Sequence, residues 1–210
     1  MNQLKDQVII IKSVNYSEAD KILTVFGRNR GKFSIIAKGI RKITSKNRGN
    51  MQTLSVTEIT YFEGKNLGIL KESNAVVLVP PEDIDMDSAK RLLFVLNKLL
   101  PEAVPEEEIF EMAVGVISEG IKAEDLNRFR IKFLQNLGYI NEMSLCNVCG
   151  KKVGKQDYLD PHAFKVICEN CARNINEVSR ASHIRINEIP IGSSRMGELL
   201  DRVIEQVLHA

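Results

Sequence analysis

The chain's four cysteines fall into two identical pairs, Cys146-x2-Cys149 and Cys168-x2-Cys171, separated by 18 residues. Two residues between thiols let one tight turn aim both sulfurs at a single metal ion, and both the spacing and the interval fit a four-cysteine zinc ribbon. Gly150 follows the first pair, where the missing Cβ lets a backbone N–H approach sulfur. Four thiolates around Zn²⁺ leave a charge of −2, and Lys151, Lys152 and Arg173 stand nearby in sequence to offset it. A closed four-sulfur shell leaves no position for substrate, so the expected role is structural: one Zn²⁺ held by Cys146, Cys149, Cys168 and Cys171. His162 is expected to serve the turn Asp160-Pro161-His162 rather than the metal.

The second constellation is electrostatic. Between Asp20 and Glu58 there is no acidic residue, while Lys21, Arg28, Arg30, Lys32, Lys38, Arg41, Lys42, Lys46 and Arg48 all fall in that window. The whole chain carries only +2, so the window is a segregated patch, the footprint of a polyanion met by one face. Residues 1–75 hold 13 Lys/Arg against 6 Asp/Glu, and residues 76–145 hold 7 against 13. A basic first third followed by an acidic middle implies two modules with different partners: nucleic acid for the first, protein for the second. Tyr16, Phe33 and Tyr61 are the aromatic groups that could stack on bases, although the strand alternation puts Phe33 in the core.

Other chemistry is poorly supported. Asp83, Asp85 and Asp87 resemble the start of a calcium loop, but its sixth position is Ser88 and its twelfth Phe94, so helix capping is the better reading. There is no GxxxxGK[ST], GxSxG or HExxH. Glu18 and Asp20 lack the third carboxylate or histidine of a Mg²⁺ nuclease site. No catalytic residue is assigned, and the expectation is a protein that is not an enzyme. The apolar run Val8–Ile11 is too short for a secretory core or a membrane span, which points to a soluble, intracellular protein with reduced cysteines.

Strand-like runs at Gln7–Tyr16, Ile22–Phe26, Phe33–Ala37, Leu54–Phe62 and Leu67–Val79, with turns at Gly27–Gly31 and Glu63–Asn66, suit a small barrel of the OB type. On the third strand, Phe33, Ile35 and Ala37 alternate inward while Lys32, Ser34 and Lys38 are expected to face solvent. Pro80-Pro81 ends the barrel. Helices are predicted over Ser88–Leu100, after Glu106–Glu108, over Glu124–Leu137 and over Arg195–Leu208, where the apolar period is cleanest.

With these elements in place, Tyr16–Phe26 and Gly31–Lys42 followed by Ser45 resemble the first strands of the RecO family of bacterial recombination mediators. Leu137-Gly138-Tyr139 leading into the two cysteine pairs, with Gly150 after the first, is similar to its zinc-bearing members. The resemblance implies an α+β multidomain protein: an N-terminal OB-fold β-barrel (1–80), an α-helical domain (81–142 and 176–210) and a four-cysteine zinc ribbon (143–175) inserted into it. It further implies a cytoplasmic, nucleoid-associated protein that binds and anneals single- and double-stranded DNA. Such proteins act with RecR, contact the C-terminal tail of single-stranded-DNA-binding protein, and help RecA load, with no nucleotide cofactor and no covalent reaction. The chain is shorter than the family pattern, the deficit falling in the helical region where the resemblance places tail docking. Some members lack the cysteines, so zinc is not part of the shared activity. On composition alone, a zinc-ribbon adaptor of transcription or translation, binding RNA or polymerase, would fit as well.

Overall fold

The structure is a computed structural model that describes residues 2–64, 67–175 and 182–209. The turn expected at Glu63–Asn66 therefore lies partly outside the described residues, as do residues 176–181 of the expected second helical segment. The chain forms two compact units, residues 1–122 and 123–210.

The first unit is built on a closed five-stranded barrel: β1 (Gln3–Asn15), β2 (Lys21–Gly27), β3 (Gly31–Ala37), β4 (Val56–Phe62) and β5 (Gly68–Val77), in the order β1-β2-β3-β5-β4. β1 closes it, because its 13 residues are long enough to pair with β4 through Gln3–Ile9 and with β2 through Val8–Asn15. A register shift between Ile10 and Lys12 bends the strand from one partner to the other. β3 and β5 meet in parallel over only two residue pairs, Ile35 with Gly68 and Ile36 with Ile69. These pairings, and the strand order, are those of the expected OB-type barrel.

The barrel interior holds Val8, Ile10, Leu23, Val25, Phe33, Ile35, Ile59, Tyr61 and Leu70. Phe33 and Tyr61 pack ring against ring at 5.3 Å, so neither is free to stack on a base; of the three candidates only Tyr16 is exposed. Ile9, Ile11, Phe26 and Ile36 lie outside this cluster yet are also buried. On this side α1 (Met86–Leu99), of the same unit, packs against β1, and Phe110 of α2 (Glu107–Ser118) meets Phe26 edge-on at 5.4 Å. Burial on both faces explains why Val8–Ile11 is apolar without alternation. Asp85 caps α1, its Oδ2 accepting from the Ser88 N–H at 3.0 Å, and these Ser88 interactions hold its carboxyl below the ordinary value.

The second unit pairs α3 (Ala123–Asn136) with α5 (Ser194–His209) and carries the small sheet β7-β6-β8. Its strands are β6 (Tyr158–Asp160), β7 (Lys165–Ile167) and β8 (Ile184–Arg185); a short helix, α4 (Glu169–Arg173), follows β7. The α3 stripe buries Leu126, Phe129, Phe133 and Leu134, but also Arg130, which is only 1% exposed. The Arg130 guanidinium donates to Asp201 and to the Gly197 carbonyl of α5, so an ion pair between a buried arginine and a half-exposed aspartate fastens the two helices. Among the described residues no helix is long and apolar enough to cross a membrane.

Asp6 makes a testable contribution to the barrel. It is 6% exposed, and its Oδ1 accepts from the backbone N–H and the side-chain amide of Asn29, fastening the β2–β3 turn. Burial pushes its carboxyl above the ordinary value despite those hydrogen bonds. The folded state therefore holds the proton more tightly than the unfolded chain, and the stability from this group is full below about pH 4 and declines as pH rises through the folded value. Urea titrations of the wild type and Asp6→Asn, which keeps an oxygen acceptor and removes the charge, should differ by an amount that shifts in the variant's favour between about pH 4 and 7. A difference independent of pH would contradict this.

Candidate nucleic-acid interface and metal centre

The barrel divides the nine cations between two ends. At the β2–β3 turn they are committed to the protein itself. Arg28 pairs with Glu107 at 2.9 Å and Glu111 at 3.1 Å, both on α2. Arg30 pairs with Glu63 at 3.0 Å and lies over the rings of Phe33 and Tyr61. Lys32 is 7% exposed; its Nζ donates to the Asn97 carbonyl at 2.8 Å and stands 3.3 Å from Glu102. The expectation that Lys32 faces solvent on β3 is thus corrected: alternation sends it away from the barrel interior, but that side is covered by α1 and the segment after it.

The remaining six lie at the opposite end of β3 and along the loop to β4. Lys38, Arg41, Lys42, Lys46 and Arg48 are exposed and Lys21 is half-buried. None of the six is paired with a carboxylate among the described residues. Asp20, the nearest acid in sequence, is occupied: its Oδ1 accepts from Gly39 N–H at 2.7 Å, where Gly39 takes φ +66°. That hydrogen bond ties the start of the cationic loop to the β1–β2 connection. Arg41 adds a second tie, its backbone N–H donating to the Ala19 carbonyl and its guanidinium to the Ser17 carbonyl at 2.8 Å.

Farther along, the loop is riveted to β5 by two asparagines that sequence reading did not single out. Asn47 Oδ1 accepts from the Ser73 N–H at 3.0 Å and from its hydroxyl at 2.8 Å, and Asn50 donates to the Ser73 carbonyl at 2.8 Å. Side-chain amides here take the place of a neighbouring strand on the edge of β5. A run of Asn between Lys and Arg reads as an ordinary polar loop, so nothing in the sequence marks this function.

The four cysteines converge as their spacing requires. All four sulfurs lie within 4.8 Å of one another, and Cys149 and Cys168 are 3.7 Å apart. Four sulfurs about 2.3 Å from one central ion would sit about 3.8 Å apart, so the set can hold a metal. Gly150 takes φ +71° and its N–H closes the first turn on the Cys146 carbonyl at 2.9 Å. Asn147, inside that turn, exchanges two hydrogen bonds with Val166 of β7, each 2.9 Å, which brings the two halves together. Asp157 adds another brace, accepting from the N–H groups of Gly154 and Glu169.

Two of the thiols are perturbed in opposite directions. Burial pushes Cys146 up, but the N–H groups of Cys168, Cys149 and Val148 outweigh it and bring it down to about 6. Cys171 is pushed up to about 12, chiefly by the Cys149 and Cys168 thiols. Anions accumulate badly at this spacing, so full deprotonation calls for a cation at the centre. Arg173 pairs with Glu169 at 3.3 Å, which corrects the expectation that it offsets the sulfur charge. His162 is outside the cluster, and its N–H is taken by Asp160 Oδ1 at 2.9 Å in the expected turn.

Comparison with known proteins agrees with both halves of the chain. The family described as recombination protein O, N-terminal, matches residues 1–78, and its C-terminal counterpart matches residues 88–183. The chain is 31% identical over 158 residues to a DNA repair protein RecO of Heliobacterium modesticaldum, covering 73% of this chain and 58% of that protein. It is 27% identical to a DNA repair protein RecO of Acetivibrio thermocellus, covering 83% of this chain and 72% of that one, and 28% identical to one of Clostridium novyi, covering 80% and 69%. With both family segments matched in order over the barrel and the cysteine-bearing unit, the chain belongs to the RecO family.

Proposed function

We propose that this protein is a DNA-binding recombination mediator in DNA repair, acting in the cytoplasm without catalysing a covalent reaction. The observation that carries this reading is the cationic β3–β4 loop: exposed Lys and Arg with no carboxylate partner among the described residues, on a barrel that meets Arg28, Arg30 and Lys32 with its own acids. Lys21, Lys38, Arg41, Lys42, Lys46 and Arg48 hold the phosphate backbone, with Tyr16 available to stack on a base. Arg28, Arg30 and Lys32 are removed from the DNA-contacting set, because their charge is met within the fold. Neutralising phosphates on two strands lowers their repulsion and lets complementary strands anneal.

The resemblance supports cooperation with RecR, contact with the tail of single-stranded-DNA-binding protein and loading of RecA. The acidic character of residues 76–145 fits a role in protein contacts rather than DNA contacts. Part of that acidity is already engaged, since Glu102, Glu107 and Glu111 meet Lys32 and Arg28.

The DNA reading predicts a split between the two cation groups. Binding of a single-stranded oligonucleotide, titrated against salt, should follow a log–log slope of about −3 to −4 if four to six phosphates are engaged. Lys42→Glu with Lys46→Glu should weaken binding roughly tenfold or more and flatten the slope by about 1.4, leaving the melting temperature unchanged. Lys32→Ala should instead lower stability by about 1–3 kcal/mol, because the Asn97 carbonyl loses its donor. Equal effects of both substitutions on DNA affinity would sink the assignment.

For the cysteines we propose one structural Zn²⁺, because a closed set of four sulfurs suits that ion and leaves no open position for catalysis. Elemental analysis of purified protein should give about one zinc per chain. Its removal by a chelator should unfold the ribbon while the barrel's DNA affinity persists. Metal-free protein with the same near-UV spectrum and melting curve would rule out a structural metal.

A further inference from the structure

The cationic end of the barrel is not a uniform surface. A cleft of about 320 Å³ opens there, lined by Asn15, Lys21, Ile40, Arg41, Arg48 and Met51. Three of these six are cations without a carboxylate partner among the described residues, and no acid lines the cleft. The groove along β1, β4 and β5 differs: Asp6, Glu58 and Glu72 contribute to its walls. Ile40 and Met51 are each 4% exposed and give the cleft an apolar side.

The backbone that carries these cations is also placed before any ligand arrives. Lys21 opens β2 and pairs in register with Asn15 of β1 and Ala37 of β3. Arg41 spends one guanidinium N–H on the Ser17 carbonyl, which restrains the side chain and leaves other N–H donors for a ligand. Arg48 sits beside Asn47, whose hydrogen bonds to Ser73 hold that stretch on β5. A loop whose backbone is already tied down loses less entropy when a ligand fills the cleft.

We propose that Lys21, Arg41 and Arg48 form a single phosphate seat: together they grip one phosphate group, while Lys38, Lys42 and Lys46 meet the strand as separate point charges. This rests on the DNA-binding reading and sharpens it, because it predicts how the cations couple. Groups sharing one phosphate are not additive, whereas groups on separate phosphates are. Single and double variants Arg41→Ala and Arg48→Ala, titrated with an oligonucleotide against salt, should show the double variant losing much less than the summed single effects. Its slope should flatten by about 0.7 in total, the value for one phosphate on a single strand. Additive losses with a slope change near 1.4 would overturn the seat and leave the interface standing. So would intact binding in the double variant when Lys42→Glu with Lys46→Glu abolishes it. Loss of the interface itself would show as indifference to all four substitutions.

A measurement on the unmodified protein guards against variants that fail to fold. Backbone amide spectra recorded with inorganic phosphate, against chloride of equal ionic strength, should shift at Lys21, Arg41 and Arg48. Shifts with inorganic phosphate identify the free ion as a ligand in its own right, and shifts with the oligonucleotide alone identify the strand's phosphodiester. Silence at these three residues with both probes would refute the seat.

Discussion

Like charges gathered on one loop repel, and a loop that must present them has to be held by something other than charge. In this barrel the holding is done by hydrogen bonds to backbone groups rather than by ion pairs. Asp20 spends its acceptor on the Gly39 N–H, Arg41 is tied to the carbonyls of Ala19 and Ser17, and Asn47 and Asn50 grip Ser73 on β5. Each tie restrains the backbone while leaving the cations unneutralised. Had carboxylates paired with these cations instead, the loop would be equally ordered but electrically silent, as the β2–β3 turn is. The open edge of β5 is what makes the arrangement possible, because β3 pairs with that strand for only two residues and leaves backbone groups for the asparagines.

The opposite end of the barrel shows the alternative use of the same residue types. Arg28, Arg30 and Lys32 face Glu107, Glu111, Glu63 and Glu102, and Lys32 is buried beneath its partners. Exposed pairs such as Arg28 with Glu107 contribute little individually, about 0–1 kcal/mol. Their role is orientation: acids in the first turns of α2 meet a cationic turn while Phe110 seats against Phe26. The acidic middle of the sequence is therefore partly a complement to the basic first third, within one compact unit that runs to Lys122.

Local patterns made much of this legible. A β-branched and aromatic run marked β2, alternation marked β3, the cysteine spacing marked the ribbon, and the apolar period marked α5 to within a residue at each end. Partners distant in sequence were not legible. Lys32 reads as a solvent-facing residue until Asn97 and Glu102 are brought over it, and no local pattern pairs Arg130 of α3 with Asp201 of α5. One signal for the covered barrel face was present in the sequence: four consecutive apolar residues, Val8–Ile11, in a strand that should have alternated if one side met water. Asn47, Asn50 and Asn147 carried no signal at all, because a side-chain amide that replaces a strand looks like any other loop residue.

Lysine acetylation footprinting, read by mass spectrometry with and without a saturating single-stranded oligonucleotide, tests the division of the cations most directly. Lys21, Lys38, Lys42 and Lys46 should be protected together when DNA is bound, while Lys90 and Lys98 of α1 react at an unchanged rate. Protection of the α1 lysines with the four loop and strand lysines still reactive would place the strand elsewhere and contradict the account.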